Sequence, residues 1–135
     1  MNINSNNLIL GRMAAFTAKQ LLLGEKVNII NCELAVISGK RKNILERYYK
    51  RYERGDPHHG PYFPRNPRDL VRRTIRGMLP WQQSRGREAF KRLRCYVGMP
   101  ERFKKEKVED LKKMNVSKIS GTGFISVKEL CKELK

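Results

Sequence analysis

The chain has 135 residues, 39% of them hydrophobic, and carries 30 Lys and Arg against 13 Asp and Glu for a formal net charge of +17. That length suits one domain with one modest core, and the clustering of the apolar residues argues against wholesale disorder. No stretch reaches the roughly 20 apolar residues of a membrane span, and residues 1–7 lack the basic start and apolar run of a secretory signal, so a cytoplasmic protein with no membrane partner is expected.

Leu10, Met13, Ala14, Thr17, Ala18, Leu21 and Leu22 fall on one helical stripe, with Gly24 where a C-terminal cap would sit. Residues 27–31 (VNIIN) are short, β-branched and nearly apolar, as a buried strand should be. Helix followed by strand points to an α/β layer arrangement. Ser38 is expected to cap a helix over residues 39–54, whose apolar stripe is Ile44, Leu45, Tyr48, Tyr49 and Tyr52 and whose stop is Gly55. Lys40, Arg41, Arg47, Lys50, Arg51 and Arg54 point mostly away from that stripe, with only Glu46 and Glu53 in compensation.

Residues 56–66 (DPHHGPYFPRN) hold three prolines and a glycine and cannot continue a helix. A stiff loop with exposed rings suits looped RNA, whose splayed bases stack on aromatic planes while basic groups hold phosphates. His58, His59, Tyr62 and Arg65 are therefore candidate contacts, whereas Phe63 reads better as a plug packing the loop onto the body. Asn66, Pro67 and Asp69 announce a helix start, Leu70, Val71, Thr74, Ile75, Met78 and Leu79 supply its buried stripe, and Pro80 ends it. Arg68, Arg72, Arg73 and Arg76 lie largely on the other side, and a planar guanidinium fork binds phosphate bidentately. Ser84 is expected to cap a further helix that packs Ala89, Phe90 and Leu93 inward and leaves Arg85, Arg87, Lys91 and Arg92 for the ligand side, with Trp81 just before it on the same face. Gly86 allows a backbone to come close.

Residues 94–97 (RCYV) read as a second core strand terminated by Gly98 and Pro100, and residues 101–113 as a solvated mixed-charge segment. Ser126 followed by Glu129 is a capping box opening a last helix with Val127, Leu130, Cys131 and Leu134 on one face, expected to dock on the body or on a neighbour. Cys32, Cys95 and Cys131 are an odd set with no CxxC spacing, so neither a disulfide framework nor a zinc ribbon is indicated; three small buried thiols are expected, with no metal and no cofactor.

The charge is regional. Residues 40–94 hold 17 Lys and Arg against 5 Asp and Glu, whereas residues 1–39 sum to +1 and residues 95–135 to +4. Such a block implies a docking face for a polyanion, nucleic acid first, since each phosphate neutralised releases condensed counterions.

Four phrases in fixed order, residues 10–15 (LGRMAA), 31–41 (NCELAVISGKR), 72–81 (RRTIRGMLPW) and 86–98 (GREAFKRLRCYVG), resemble the large-subunit ribosomal protein family L-thirteen in its archaeal and eukaryotic branch, most closely an archaeal-type member. The resemblance spans roughly residues 2–100 and leaves the last 35 residues poorly matched. It implies a single three-layer α/β/α domain with a small, mostly parallel central sheet and a basic helical and loop extension. It also implies a structural, non-catalytic constituent of the large subunit that binds large-subunit ribosomal RNA early in assembly, beside neighbouring ribosomal proteins, with no small-molecule substrate and no homo-oligomer. By motif it places Lys40, Arg41, Arg72, Arg73, Arg76, Arg85 and Arg87 against RNA, which coincides with the charge pattern.

Two rivals are weaker. A phosphodiesterase using His58 and His59 beside Asp56 lacks acid and base groups poised on opposite sides of a scissile bond, and the histidines lack further partners for zinc. Ser38, Gly39 and Lys40 lack the glycine spacing of a P-loop, and Gly121 with Gly123 is half a dinucleotide fingerprint. A free DNA-binding or architectural protein would concentrate base-reading residues on one recognition helix or present a minor-groove wedge; here the arginines spread over three segments and a loop.

Overall fold

The computed structural model describes residues 1–109, 111–119 and 123–134. Its class is α/β as expected, and the sheet is mostly parallel. Strands β1 (Asn2–Asn4), β2 (Val27–Ile30) and β4 (Leu93–Cys95) form a parallel sheet in the order β1-β2-β4, with Ile3 opposite Ile29 and Ile29 opposite Cys95. A separate antiparallel pair joins β3 (Val36–Ser38) to β5 (Phe124–Ser126), with Ile37 opposite Ile125.

Strand alternation gives the parallel sheet two different faces. Ile3, Val27, Ile29, Leu93 and Cys95 enter the main core with Leu10, Met13, Ala14, Ala18 and Leu21 of α1 (Leu10–Leu22). The same core takes Leu70, Val71 and Ile75 of α3 (Pro67–Gly77) and Ala89 of α4 (Ser84–Lys91). On the opposite face Asn2, Asn28 and Arg94 stand in register across the three strands. Asn28 donates to the Asn2 Oδ1 at 2.8 Å, and the Asn2 amide donates to Glu106 at 2.6 Å. Parallel sheets normally cover both faces, and here residues 101–109 supply part of the second cover: Phe103 is buried against Tyr96, and the Glu109 N–H donates to the Asn2 carbonyl at 2.8 Å. The segment expected to be wholly solvated is thus anchored by Phe103, while Lys104, Lys105 and Lys107 remain exposed.

Helix α1 ends as expected, with Gly24 at φ +100° past its last turn. Helix α2 (Arg41–Tyr52) starts later than its sequence pattern suggests. Ser38 does not cap it, because Ser38 closes β3 opposite Phe124 and Lys40 takes the cap position. Helix α3 starts with Asn66 at its cap and Pro67 at its first position, although the Asn66 side chain makes no cap bond. Ser84 is likewise the first helical residue of α4 and not its cap, which is Gln83. Strand β4 is shifted one residue toward the N-terminus of the expected 94–97, because Leu93 is the residue that faces Val27 inside the core.

Strands β1, β3 and β5 were not foreseen. Asn2 and Asn4 flank a single buried Ile3, a composition with weak strand preference, and it is pairing with β2 that makes these residues extended. In α5 (Val127–Glu133) Ser126 is the cap, its Oγ accepting from the Glu129 N–H at 3.2 Å, and Val127, Leu130, Cys131 and Leu134 are buried on the body. Cys32, Cys95 and Cys131 are all buried, and none is joined in a disulfide. A hydrogen bond donated to Cys32 and burial both push the Cys95 thiol far above its ordinary range. Gly121 and Asp110, which belong to the glycine pair and the mixed-charge segment of the sequence reading, lie outside the described residues.

Candidate nucleic-acid interface

The basic surface is assembled from α2, the loop after it, α3, the turn at Met78–Trp81 and α4. Helix α2 buries Ile44 and Tyr48 and exposes Lys40, Arg41, Arg47, Lys50, Arg51 and Arg54. Two of these are engaged by carboxylates. Arg41 donates to Glu133 at 2.8 Å and lies 3.8 Å from Glu129, tying the start of α2 to α5. Lys50 meets Glu46 at 2.8 Å, and that contact holds the Glu46 carboxyl below its ordinary range.

The loop closes on itself. Asp56 and Gly60 exchange backbone hydrogen bonds at 3.1 and 2.8 Å, the His58 N–H donates to the Asp56 carboxylate at 2.8 Å, and the Tyr62 hydroxyl donates to the His58 carbonyl at 2.8 Å. Gly55 is required at φ +97°, where a Cβ would meet the Gly60 carbonyl oxygen at 2.2 Å. The consequence is a rigid hook that leaves His58, His59 and Tyr62 exposed, the Tyr62 residue by 69%. Phe63 is the plug expected of it, half-buried and edge-on to Tyr48 at 5.9 Å between centroids. His59 Nδ1 sits 3.5 Å from Asp56, and among the described residues no group of three or more His, Cys, Asp or Glu is arranged to hold a metal ion.

The organising feature of the face is a set of guanidinium groups stacked on rings. Arg65 lies 4.3 Å from the Tyr52 centroid, Arg73 5.0 Å from Phe63, Arg72 5.0 Å from Phe90 and Arg76 4.0 Å from Trp81. Arg47 and Arg51 flank Tyr48 at 5.5 and 5.6 Å. Arg73 also donates to the Tyr62 carbonyl at 3.3 Å, which joins α3 to the hook. Stacking occupies a guanidinium's face and leaves the N–H edge free, the edge that grips phosphate. Trp81 stands edge-on to Phe90 at 5.4 Å, so the two pedestals of Arg76 and Arg72 brace each other. Gly86 explains how α4 comes so near: any Cβ there would sit 2.2 Å from the Pro80 carbonyl oxygen.

Not every candidate belongs to the open surface. Arg92 is half-buried and donates to the Leu21 carbonyl at 2.8 Å, pinning the end of α4 to the last turn of α1. Arg41 is a clamp to α5. Arg54, Arg85, Arg87 and Lys91 are exposed, and Arg68 is exposed beside Asp69 at 3.2 Å. The residues missed from sequence are the pedestals Tyr48, Tyr52 and Phe90. Their interleaving with arginines was visible along the chain, but the pairs Arg65 with Tyr52 and Arg72 with Phe90 form only across elements.

Fold and face together define a small α/β protein with a pre-oriented polycationic side. Residues 1–102 match the sequence profile of the family described as Ribosomal protein L13. Proteins named "Large ribosomal subunit protein uL13" from Methanopyrus kandleri, Archaeoglobus fulgidus and Methanosarcina barkeri are similar to this chain. They are 42%, 41% and 43% identical to it, over 98% of this chain and 84%, 85% and 95% of theirs. The chain belongs to the ribosomal protein L13 family. The family profile ends at residue 102, in line with the poor match of the last 35 residues to the family, while the alignments with these archaeal relatives cover 98% of the chain. Their names are those of large ribosomal subunit proteins and not of enzymes.

Proposed function

We propose that this protein is a structural constituent of the large ribosomal subunit, in the cytoplasm, that binds large-subunit ribosomal RNA early in assembly and sits beside other ribosomal proteins. The observation that supports it most is the row of ring-stacked guanidinium groups at Arg65, Arg72, Arg73 and Arg76, with the exposed ring of Tyr62 next to them. A side chain already immobilised on a ring loses less freedom when it meets a phosphate, so binding keeps more of the interaction energy. The core holds α2, α3, α4 and the hook in one fixed relation, so RNA segments distant in sequence are neutralised together. Irregular folded RNA fits this dispersed arrangement better than one groove of a duplex.

The test is sedimentation of native extract on a sucrose gradient, with detection of this chain before and after RNase and a high-salt wash. Co-sedimentation with large subunits that survives the wash is expected. A signal confined to light fractions under every condition overturns the proposal.

A further inference from the structure

A cavity of about 360 Å³ opens at the β4 edge of the parallel sheet, and four arginines line it: Arg68, Arg72, Arg94 and Arg102. Because β4 is an edge strand, side chains from the two sides of the sheet can converge there. Arg68 and Arg72 come from successive turns of α3 on the core side, Arg94 from the polar face, and Arg102 from the turn that follows the sheet. Arg94 is the last residue of the basic block of residues 40–94 and Arg102 lies beyond it, and neither is among the candidate contacts named from the sequence.

The site is built, and the charge of three of its four arginines is uncompensated. Arg102 lies 4.8 Å from the Tyr96 centroid and 4.5 Å from that of Phe103, and it hydrogen-bonds the Tyr96 hydroxyl. Arg72 is held on Phe90, and its Nε is buried without a hydrogen-bond partner. Arg68 has Asp69 at 3.2 Å, but among the described residues no carboxylate lies within ion-pair distance of Arg72, Arg94 or Arg102. Cys95 lines the cavity as a buried neutral thiol and supplies no negative charge. Like charges gathered at close quarters in a partly desolvated recess repel, and an anion relieves the repulsion while completing their hydrogen bonds.

We infer that this recess is a phosphate-binding site that takes a phosphodiester of the same RNA that lies on the main basic face, an inference that rests on the RNA reading above. The argument for RNA over a free anion is continuity. Arg72 and Arg73 are consecutive on α3, one facing the recess and the other the hook, so a strand lying over Arg73 and Arg76 reaches the recess by passing around a single helix.

The test compares the unaltered protein with Arg94→Gln/Arg102→Gln and with Arg94→Lys/Arg102→Lys. The probes are a large-subunit ribosomal RNA transcript, a random RNA of equal length and inorganic phosphate. Both positions are exposed, so unchanged circular dichroism and melting are expected. The Gln pair should bind the transcript about tenfold more weakly at physiological salt, with a slope of log affinity against log salt shallower by about 0.7–0.9 per phosphate lost. The Lys pair should keep the slope and lose affinity, because lysine keeps the charge without the bidentate fork. Equal affinity and slope for the Gln pair and the unaltered protein, both still preferring the transcript, overturn the recess assignment and leave the main face standing. No preference of the unaltered protein for the transcript over random RNA overturns the RNA reading and this inference with it. Millimolar phosphate that raises the melting temperature of the unaltered protein alone, with RNA binding identical in the variants, assigns the recess to a free anion and overturns the inference.

Discussion

Arg76 lies with its guanidinium carbon 4.0 Å from the centroid of Trp81, the shortest guanidinium–ring distance in the protein among the described residues, and the two are joined by the Met78–Pro80 turn. The turn folds the last exposed charge of α3 back over the ring that precedes α4. A cation over an indole gains about 0.5–2 kcal/mol, depending on how far it is desolvated. Trp81→Ala is therefore expected to weaken ribosomal RNA binding severalfold although no charge is removed, and Trp81→Phe to restore most of it. Filter binding of the variants with a large-subunit RNA transcript checks this; equal affinities for all three proteins would show that the stack does not orient Arg76 for RNA.

Arg73 and Arg76 are exposed, whereas Arg72 is half-buried with its Nε out of solvent. The double reversal Arg73→Glu/Arg76→Glu should leave the fold intact and remove the protein from large subunits. Reversing Arg72 as well should cost stability through a buried carboxylate facing Phe90. Sucrose-gradient fractionation of cells expressing each variant, with circular dichroism of the purified proteins, separates the two effects. Normal incorporation of the folded double variant would refute the assignment of this side of α3.

Gly86→Ala places a methyl group at 2.2 Å from the Pro80 carbonyl oxygen, a backbone atom that cannot swing aside. The start of α4 and the turn must separate, at a cost of about 1–3 kcal/mol. A lower midpoint in urea with an unchanged slope is the expected result. RNA affinity should fall too, because the displaced turn carries Trp81. An unchanged midpoint would mean that the contact between the turn and α4 is loose in solution.

Burial pushes the Tyr48 hydroxyl above its ordinary value of 10.0, against the opposing pull of Arg47 and Arg51. The folded state therefore favours the neutral phenol. Stability from this group is fully present below about pH 10, where the unfolded chain also keeps its proton, and is lost as pH rises through the higher folded value. Melting temperature measured across the alkaline range should fall more steeply for the native protein than for Tyr48→Phe. Parallel curves would place the alkaline loss in other groups.

How much of this was readable beforehand varies element by element. Helix α1 and strand β2 were readable because a 3.6-residue stripe and a short β-branched run are local signals, and Ser126 with Glu129 announced α5 through a cap that spans three residues. Strand β1 was not, because Asn2 and Asn4 become extended only by pairing with Asn28 and Ile30 of β2. Ser38 looked like a cap and is a strand residue, since its backbone is claimed by Phe124, some eighty-six positions away. Local capping preferences of about 1 kcal/mol yield readily to such a ladder.

Charge and chain order by themselves determined that the protein presents a polycation built on α2, the hook, α3 and α4, because net charge and helical periodicity are properties of residues close in sequence. Only the tertiary structure decided which of those charges stay open, turning Arg92 onto the Leu21 carbonyl and Arg41 onto Glu133. It also seated the open ones on rings and drew Arg94 from β4 and Arg102 from the mixed-charge segment to the same recess as Arg68 and Arg72. The reason is physical: a stack, a clamp or a recess depends on distances between groups that the chain separates by tens of residues, and packing of the core alone sets those distances.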